Sequence, residues 1–340
     1  MLDRLPALAA IVACATALLL TPLVRLGARR WGFLDQPNER SSHIVVVPRG
    51  GGLAILAAVG LSLALARGSW PGSSAAVALL TGMLVLAALG LCDDRFGLSP
   101  AVRLGVHFAV AAGFVSVAGS IDRVPLPPPL DASLGPAGPA VGVLWIVAVV
   151  NFYNFMDGID GLASLQAIVT GAGIALAGFD PFASLLGAAL AGAAAGFLVF
   201  NWSPASIFLG DVGSGAMGFC LAALPFLAAP AARPSMVLFV ALSLWLFLAD
   251  ATWTLLRRMA RGERLHLAHR EHLYQRLVSS GWSHARVSGA LGLAAAVLTA
   301  AALFALPSRQ PPVRWLPVLL ALLVFSAEVA LVAHRERRRG

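Results

Sequence analysis

The chain has 340 residues, of which 59% are hydrophobic and 12% are charged, and its mean hydropathy is +0.84. A soluble globular domain carries about 25% charged residues, so this composition excludes an ordinary soluble enzyme and indicates a membrane protein with many spans. The formal net charge is +8, and every one of the 24 basic residues is an arginine. The 3 cysteines lie far apart and fit neither a disulfide framework nor a zinc site.

Apolar segments long enough to cross a membrane follow one another along the whole chain. They lie near residues 5–24, 50–67, 74–92, 101–119, 140–156, 161–177, 182–200, 212–229, 235–256, 284–306 and 314–333. We therefore predict an all-α, polytopic integral membrane protein with about 11 transmembrane helices. No composition shift divides the chain, so residues 1–340 are expected to form a single domain.

The arginines fall mainly on one side of this predicted bundle. They are concentrated between the first and second segments, in the connection near 257–283 and in the C-terminal tail. The positive-inside rule then places the N-terminus outside, in the periplasm, and the C-terminus in the cytoplasm. This distribution explains the net charge by topology and by contact with anionic lipids, and it argues against a nucleic-acid partner.

The most distinctive polar stretch runs from Asn151 to Asp160, where Asn151, Asn154, Asp157 and Asp160 recur at every third residue. Carboxylates at the end of a membrane segment are costly and mark functional sites. On one unbroken helix this spacing would drift through about 180°. We expect the glycines at 158 and 161 to break the helix, so that the four side chains converge.

Two further connections on the same side carry carboxylates. Asp93 and Asp94 are adjacent, and a divalent cation or a basic partner would relieve their repulsion; alternatively they cap the next helix or pair with Arg95. Asp211 lies between glycines, which leaves it accessible. The alternative for Asp211 is an ordinary helix N-cap.

The first connection on this side contains His43 and Arg49, followed by three glycines at 50–52. Glycines at a helix start let the backbone approach a ligand, and the free N–H groups there favour phosphate. The alternative is a glycine turn in a basic loop. Taken together, the polar connections near 28–50, 92–100, 151–161, 201–214 and 257–283 all fall on the predicted cytoplasmic face.

The last of these connections contains His266, His269 and His272, which the i, i+3, i+6 spacing places on one face of a predicted helix. Beside Arg270, these histidine side chains suit the binding of a phosphate. As neutral imidazoles they could instead bind a metal ion. The alternative is an amphipathic helix at the membrane interface. A transporter or a non-catalytic scaffold is also considered, but charges gathered at one surface argue against both.

Five stretches together resemble one family, the polyprenyl-phosphate N-acetylhexosamine-1-phosphate transferases, which include the MraY, WecA, TagO and WbpL branches. They are P-N-E-R-S-S-H…P-R-G-G-G (37–52), D-D (93–94), N-F-Y-N-F-M-D-G-I-D-G-L (151–162), F-L-G-D-V-G-S (208–214) and H-R-E-H-L-Y-Q-R-L (269–277). The last stretch lacks the run of adjacent histidines of the MraY branch, so the chain is more similar to the WecA and WbpL branch.

The resemblance implies a reaction and a site. The enzyme would transfer an N-acetylhexosamine-1-phosphate from a UDP-sugar to undecaprenyl phosphate and release UMP, at the cytoplasmic face of a bacterial inner membrane, for O-antigen or another envelope polysaccharide. Mg²⁺, with Mn²⁺ as an alternative, would be held by Asp211 and Asp94, and Asp93 would act on the lipid phosphate. The implied substrate-binding residues are Asn151, Asn154, Asp157, Asp160, His43, Arg49, His269, Arg270 and His272. A homodimer is the implied assembly, and MraY-like transfer of a peptide-bearing sugar is the alternative reaction.

Overall fold

The computed structural model describes residues 4–36, 45–66, 73–264 and 269–338. These ranges are almost entirely helical. The elements are α1 (Leu5–Arg30), β1 (Leu34–Asp35), β2 (Val47–Pro48), α2 (Gly52–Leu65), α3 (Ser74–Phe96), α4 (Pro100–Ala118), α5 (Gly138–Met156), α6 (Leu162–Ala177), α7 (Pro181–Asn201), α8 (Asp211–Ala223), α9 (Arg233–Ser243), α10 (Trp245–Ala260), α11 (Leu273–Ser279), α12 (His284–Ala305) and α13 (Pro311–Arg337). The all-α polytopic fold is therefore confirmed, and β1 and β2 form only a two-residue antiparallel pair.

The apolar helices match the segments expected from the sequence. Within the described ranges, seven helices are long and apolar enough to cross a membrane, and α9 and α10 form one further apolar pair that is bent by 76°. Three shorter apolar helices, Gly52–Leu65, Leu162–Ala177 and Asp211–Leu227, complete the set. Each of the eleven apolar segments thus corresponds to a helix or a helix pair. The orientation of the bundle in the membrane stays a prediction.

The centre of the bundle is built on α7 and α8, whose residues are mostly buried. Small side chains make the close packing of α7 possible. A Cβ atom on Gly192 would lie 2.0 Å from the backbone oxygen of Ala10, and one on Gly196 would lie 2.3 Å from that of Cys14. Helices in membranes associate through such small residues because hydrophobic burial between helices contributes little in lipid. α1 therefore packs against α7 backbone to backbone.

This packing predicts opposite effects for two glycine substitutions. Gly192→Ala should lower the thermal unfolding temperature of the detergent-purified protein, because overpacking against fixed backbone costs about 1–3 kcal/mol. Gly113→Ala in α4 is the matched control, since no heavy atom lies within 4 Å of the added Cβ and Ala is the better helix former by about 1 kcal/mol. Equal unfolding temperatures for the two variants would contradict the packing described here.

Candidate active site

Polar residues from several separate connections meet at one end of the bundle. Asp93 and Asp94 lie in the last turn of α3, Asp211 begins α8, and Asn154 lies in the last turn of α5. Arg49 follows β2 immediately. The contacts among these five residues, described below, bring together stretches that are up to 162 residues apart in the sequence numbering (49 to 211). The predicted convergence of the acidic connections is therefore present.

Asp94 is the most enclosed carboxylate of this cluster, with 4% of the residue exposed. Its Oδ2 accepts a hydrogen bond from the backbone N–H of Val212 at 3.3 Å. Arg49 Nη1 lies 3.5 Å from Asp94 Oδ1, and the same guanidinium donates to the main-chain oxygen of Asp94. A buried carboxylate needs such partners because its desolvation is costly. Arg49 thus belongs to the acidic cluster, as the sequence suggested.

Arg103 joins the two other carboxylates of the cluster, and the sequence analysis did not identify it as a site residue. Its Nη1 lies 2.7 Å from Asp93 Oδ2 and 3.9 Å from Asp211 Oδ2. The other oxygen of Asp93 accepts from the backbone N–H of Leu98 at 2.7 Å. The glycine at position 97 was the one indication of this contact. Gly97 adopts a φ of +67° in the tight turn between α3 and α4, so the first turns of α4 return alongside the last turn of α3.

Asn154 holds Asp211 from the opposite side. Its Nδ2 donates to Asp211 Oδ1 at 2.7 Å and contacts Ser214 Oγ at 2.8 Å. Asn151, one turn earlier, instead contacts His107 Nδ1 at 3.1 Å and the backbone oxygen of Val147 at 2.7 Å. Asn151 is thus placed beside the cluster rather than on its carboxylates, and His107 is a second polar neighbour that sequence reasoning missed.

The expected break of the helix after Asn154 is present. α5 ends at Met156, Asp157 follows as its C-cap, and Gly161 adopts a φ of +76°. Burial raises the pKa of Asp157 well above its usual range, and the nearby carboxylates of Asp211 and Asp94 raise it further. Asp157 therefore lies within electrostatic range of both carboxylates predicted to hold the metal.

The glycines of the first connection serve the packing of the site. Gly51 N donates to Phe208 O at 2.9 Å and Gly52 N to Leu209 O at 2.8 Å. A Cβ on Gly52 would lie 2.2 Å from the Cα of Gly213. The N–H groups of Gly51 and Gly52 are therefore engaged within the protein and are not free to bind a phosphate. They instead fix the β2–α2 connection against the start of α8.

The side-chain contacts of Asp160 lie outside the acidic cluster, so the expectation that all four side chains of the 151–160 stretch converge is wrong for Asp160. Asp160 instead lines a cavity of about 300 Å³ with Phe208, Ser203 and His284 among its walls. Asp160 Oδ2 accepts from the backbone N–H of Ala205 at 3.2 Å and lies 3.3 Å from His284 Nδ1. Burial acts to raise the pKa of Asp160, but the His284 and Ala205 interactions outweigh it, so this pKa lies below its usual value. Asp160 is accordingly ionised at neutral pH.

The histidine connection does not form the helix expected from its spacing. His43 and His266 lie outside the described residues. His269 and Arg270 are in non-helical backbone, and α11 begins only at Leu273, with His272 as its N-cap. The predicted helical face of three histidines is therefore wrong over the described part. The physical reason is a carboxylate from another helix, which receives the backbone N–H groups at the start of α11 and is analysed below.

The three residues of this segment differ in solvent exposure. His269 and Arg270 are half-buried, whereas His272 is 3% exposed. The ring centroids of His269 and His272 are 4.9 Å apart. Burial, followed by the charges of His272 and Arg258, lowers the pKa of His269 to about 4. His269 is therefore neutral at pH 7, and its imidazole can donate one hydrogen bond without adding charge.

The donor set of the acidic cluster fits Mg²⁺ better than a transition metal. Among the described residues, no group of three or more His, Cys, Asp or Glu side chains is close enough to enclose a metal ion. Mg²⁺ is usually bound through one or two carboxylates together with substrate phosphates and water, not by an all-protein cage. Asp211 and Asp94, with Asp157 in range of both, offer that kind of partial site.

Comparison with known proteins finds a family model and several similar membrane transferases. Residues 76–229 match the model of glycosyl transferase family 4. A probable undecaprenyl-phosphate N-acetylglucosaminyl 1-phosphate transferase of Bacillus subtilis is 29% identical over 284 residues, which cover 81% of this chain and 77% of the relative. A decaprenyl-phosphate N-acetylglucosaminephosphotransferase of Mycobacterium leprae is 32% identical over 320 residues, covering 83% and 79%.

A relative with a different name also matches over most of its length. A phospho-N-acetylmuramoyl-pentapeptide-transferase of Synechococcus is 32% identical over 290 residues, which cover 80% of this chain and 84% of the relative. The region matched by the family model, residues 76–229, contains most of α3 and all of α4 to α8. It therefore includes the acidic cluster apart from Arg49. The chain therefore belongs to glycosyl transferase family 4, the superfamily of the MraY- and WecA-type membrane transferases.

Proposed function

We propose that the protein transfers an N-acetylhexosamine-1-phosphate from a UDP-sugar to undecaprenyl phosphate, giving undecaprenyl-diphospho-sugar and UMP. The observation that carries this proposal is the cluster of Asp93, Asp94 and Asp211 with two arginines at one end of an apolar bundle. Relatives that are named as polyprenyl-phosphate sugar-phosphate transferases support the reaction class. The biased arginine distribution supports a cytoplasmic active site in a bacterial inner membrane.

The chemical difficulty of this reaction is the repulsion between two anionic substrates. Arg49 and Arg103 are each about a third exposed, so their guanidinium groups can bind phosphate oxygens while they keep contact with the carboxylates. Asp211 and Asp94 would hold Mg²⁺, which supplies further neutralisation of the diphosphate when bound. Asn154 keeps Asp211 oriented through its 2.7 Å hydrogen bond.

The surroundings of Asp93 favour a positioning role over that of a strong base. Both of its carboxylate oxygens are engaged, one by Leu98 N and one by Arg103. A phosphate monoester has a second pKa near 6, so the lipid phosphate is already largely dianionic at pH 7 and needs little help to lose a proton. Asp93 then orients Arg103, and Arg103 faces the reacting phosphates.

The cavity beside Asp160 is the proposed place for the nucleotide end of the donor. Its volume of about 300 Å³ is at the lower end of the range of small-molecule pockets. Phe208 supplies an aromatic wall, and an ionised Asp160 supplies acceptor oxygens for N–H or hydroxyl groups. Phe208 lies three residues before Asp211 in the sequence, so a ligand in the cavity could extend its phosphates toward the acidic cluster.

The second candidate reaction is transfer of a peptide-bearing sugar phosphate, because one relative is named as a phospho-N-acetylmuramoyl-pentapeptide-transferase. The absence of adjacent histidines in the 269–277 stretch favours the first candidate. We propose an O-antigen or another envelope polysaccharide as the end product, and a homodimer as the assembly.

The direct test is release of UMP. Purified protein with undecaprenyl phosphate, Mg²⁺ and a panel of UDP-N-acetylhexosamines should release UMP and form a lipid-linked sugar with at least one donor. EDTA should abolish the release, and added Mg²⁺ or Mn²⁺ should restore it. Solute flux in proteoliposomes without UMP release would contradict the proposal and favour a transporter.

Asp211→Asn should reduce UMP release by about 100- to 1,000-fold, the size expected when a group that stabilises developing charge is removed. Asp131→Asn is the matched control, because Asp131 pairs with Arg123 in a connection outside the cluster. Turnover is measured after both variants show wild-type elution and thermal unfolding. A folded Asp211→Asn protein with full turnover would rule out the role given to this residue.

Asp160→Asn should raise KM for the UDP-sugar about 10-fold while kcat changes little, because the cavity is proposed to bind substrate and transition state alike. The same Asp131→Asn protein serves as the control. The measurement is the dependence of initial UMP release on donor concentration at saturating lipid phosphate. A loss confined to kcat would argue that Asp160 acts in the chemistry and that the nucleotide lies elsewhere.

A further inference from the structure

A second acidic group, remote in sequence from the cluster, controls the start of α11. Asp250 lies in α10 and is fully buried, with 0% of the residue exposed. Its Oδ1 accepts from the backbone N–H of Leu273 at 2.8 Å, and its Oδ2 accepts from that of Tyr274 at 3.2 Å. Thr254 Oγ1 donates to the same carboxylate at 3.0 Å. The first N–H groups of a helix lack partners within the helix, and here Asp250 supplies them.

The same carboxylate also faces the side chain of His272. His272 Nδ1 lies 3.3 Å from Asp250 Oδ1. The hydrogen bond made by one imidazole nitrogen fixes which tautomer is present. A carboxylate beside Nδ1 favours the tautomer that carries the proton on that nitrogen, as in other sites where an aspartate orients a histidine.

The anchored segment is tied in turn to the end of α5, next to the acidic cluster. Tyr274 OH donates to the backbone oxygen of Phe155 at 3.0 Å, and the ring centroids of Phe155 and His272 are 6.2 Å apart. A Cβ on Gly158 would lie 2.1 Å from the Tyr274 hydroxyl. The start of α11 therefore packs directly on the residues that flank Asp157.

We infer that Asp250 is a positioning residue for the 269–272 segment: its buried carboxylate anchors the start of α11 and thereby holds this segment, with His269 and Arg270, at the end of α5. The inference rests on the proposed function for its kinetic readout only. Asp250 itself is enclosed, with 0% of the residue exposed, so it does not touch the substrates directly. It acts through the backbone N–H groups of α11 and through the His272 ring.

The principal experiment compares Asp250→Asn with the wild-type protein in two measurements. Turnover should fall about 10- to 100-fold, as expected when reacting groups are misplaced by about 1 Å. In ¹⁵N-histidine-labelled protein, the His272 signal should report the Nδ1–H tautomer in the wild type and should shift in the variant. His272→Gln assigns that signal. Full turnover together with an unchanged signal would overturn the inference.

Glu328→Gln is the matched control for the loss of a buried acid near Asp250, with which Glu328 interacts electrostatically. Glu328 is 7% exposed, and neither of its carboxylate oxygens has a hydrogen-bond partner in the described part of the chain. Because it anchors no backbone, Glu328→Gln should keep turnover within about twofold of the wild type. An equal loss in both variants would attribute the effect to general disturbance of the buried acids and would overturn the positioning role.

A double-mutant cycle and a milder variant complete the test. The turnover of Asp250→Asn combined with His272→Gln should be no lower than that of the poorer single variant, since both act through one segment. Additive losses would contradict this.

Should Asp250→Asn fail to fold, Thr254→Val removes only the supporting hydroxyl. Thr254→Val should lower turnover a few-fold, the effect of about one hydrogen bond, and it should shift the His272 signal. Wild-type values for both measurements would overturn the inference.

The two readouts separate this inference from the proposed function. The tautomer measurement needs no substrate. If the wild-type protein released no UMP from any donor, the proposed reaction would fail, while an Nδ1–H signal that depends on Asp250 would still support the anchor.

Discussion

The site depends on carboxyl groups that the fold brings close together, so that each disfavours ionisation of the others. Asp94, Asp157 and Asp211 lie within electrostatic range of one another at one end of an apolar bundle. Arg49 and Arg103 lie 3.5–3.9 Å from Asp94 and Asp211, so they offset part of this effect. Solvent weakens these pairs, since each guanidinium is about a third exposed.

Close backbone packing is what allows the fold to bring these charges together. A Cβ on Gly90 would lie 2.3 Å from the backbone oxygen of Asp211, and one on Gly210 would lie 2.7 Å from Asp94 Oδ2. Larger side chains at these two positions would separate α3 from the start of α8. Glycine is costly within a helix, and here its absence of a side chain sets the distance between Asp94 and Asp211.

Much of the fold was predictable from the sequence, because a membrane span leaves a strong signal in composition and length. The polar connections were equally visible, because carboxylates at the end of an apolar segment are rare. What the sequence did not reveal depends on contacts between distant elements. The sequence analysis did not single out Arg103, since its approach to Asp93 and Asp211 requires the turn at Gly97 and the packing of α3 on α8.

The histidine segment is a second case in which a contact between distant elements decides the local structure. Its spacing favours a helix that includes His269, but the structure starts α11 at Leu273. Local periodicity contains no information about Asp250, whose carboxylate provides acceptors for the N–H groups of Leu273 and Tyr274.

Asp250 and Asp211 thus differ in their partners. Asp250 has its oxygens satisfied by backbone N–H groups and a ring nitrogen, which makes it a structural anchor. Asp211 has one oxygen held by Asn154, while its other oxygen lies 3.9 Å from Arg103. A carboxylate oxygen that is oriented but not fully paired is the kind that can accept a cation or a positively charged partner. Hence the two acids, although both lie at helix positions in an apolar bundle, are suited to different tasks: Asp250 holds a segment in place, and Asp211 remains available to bind.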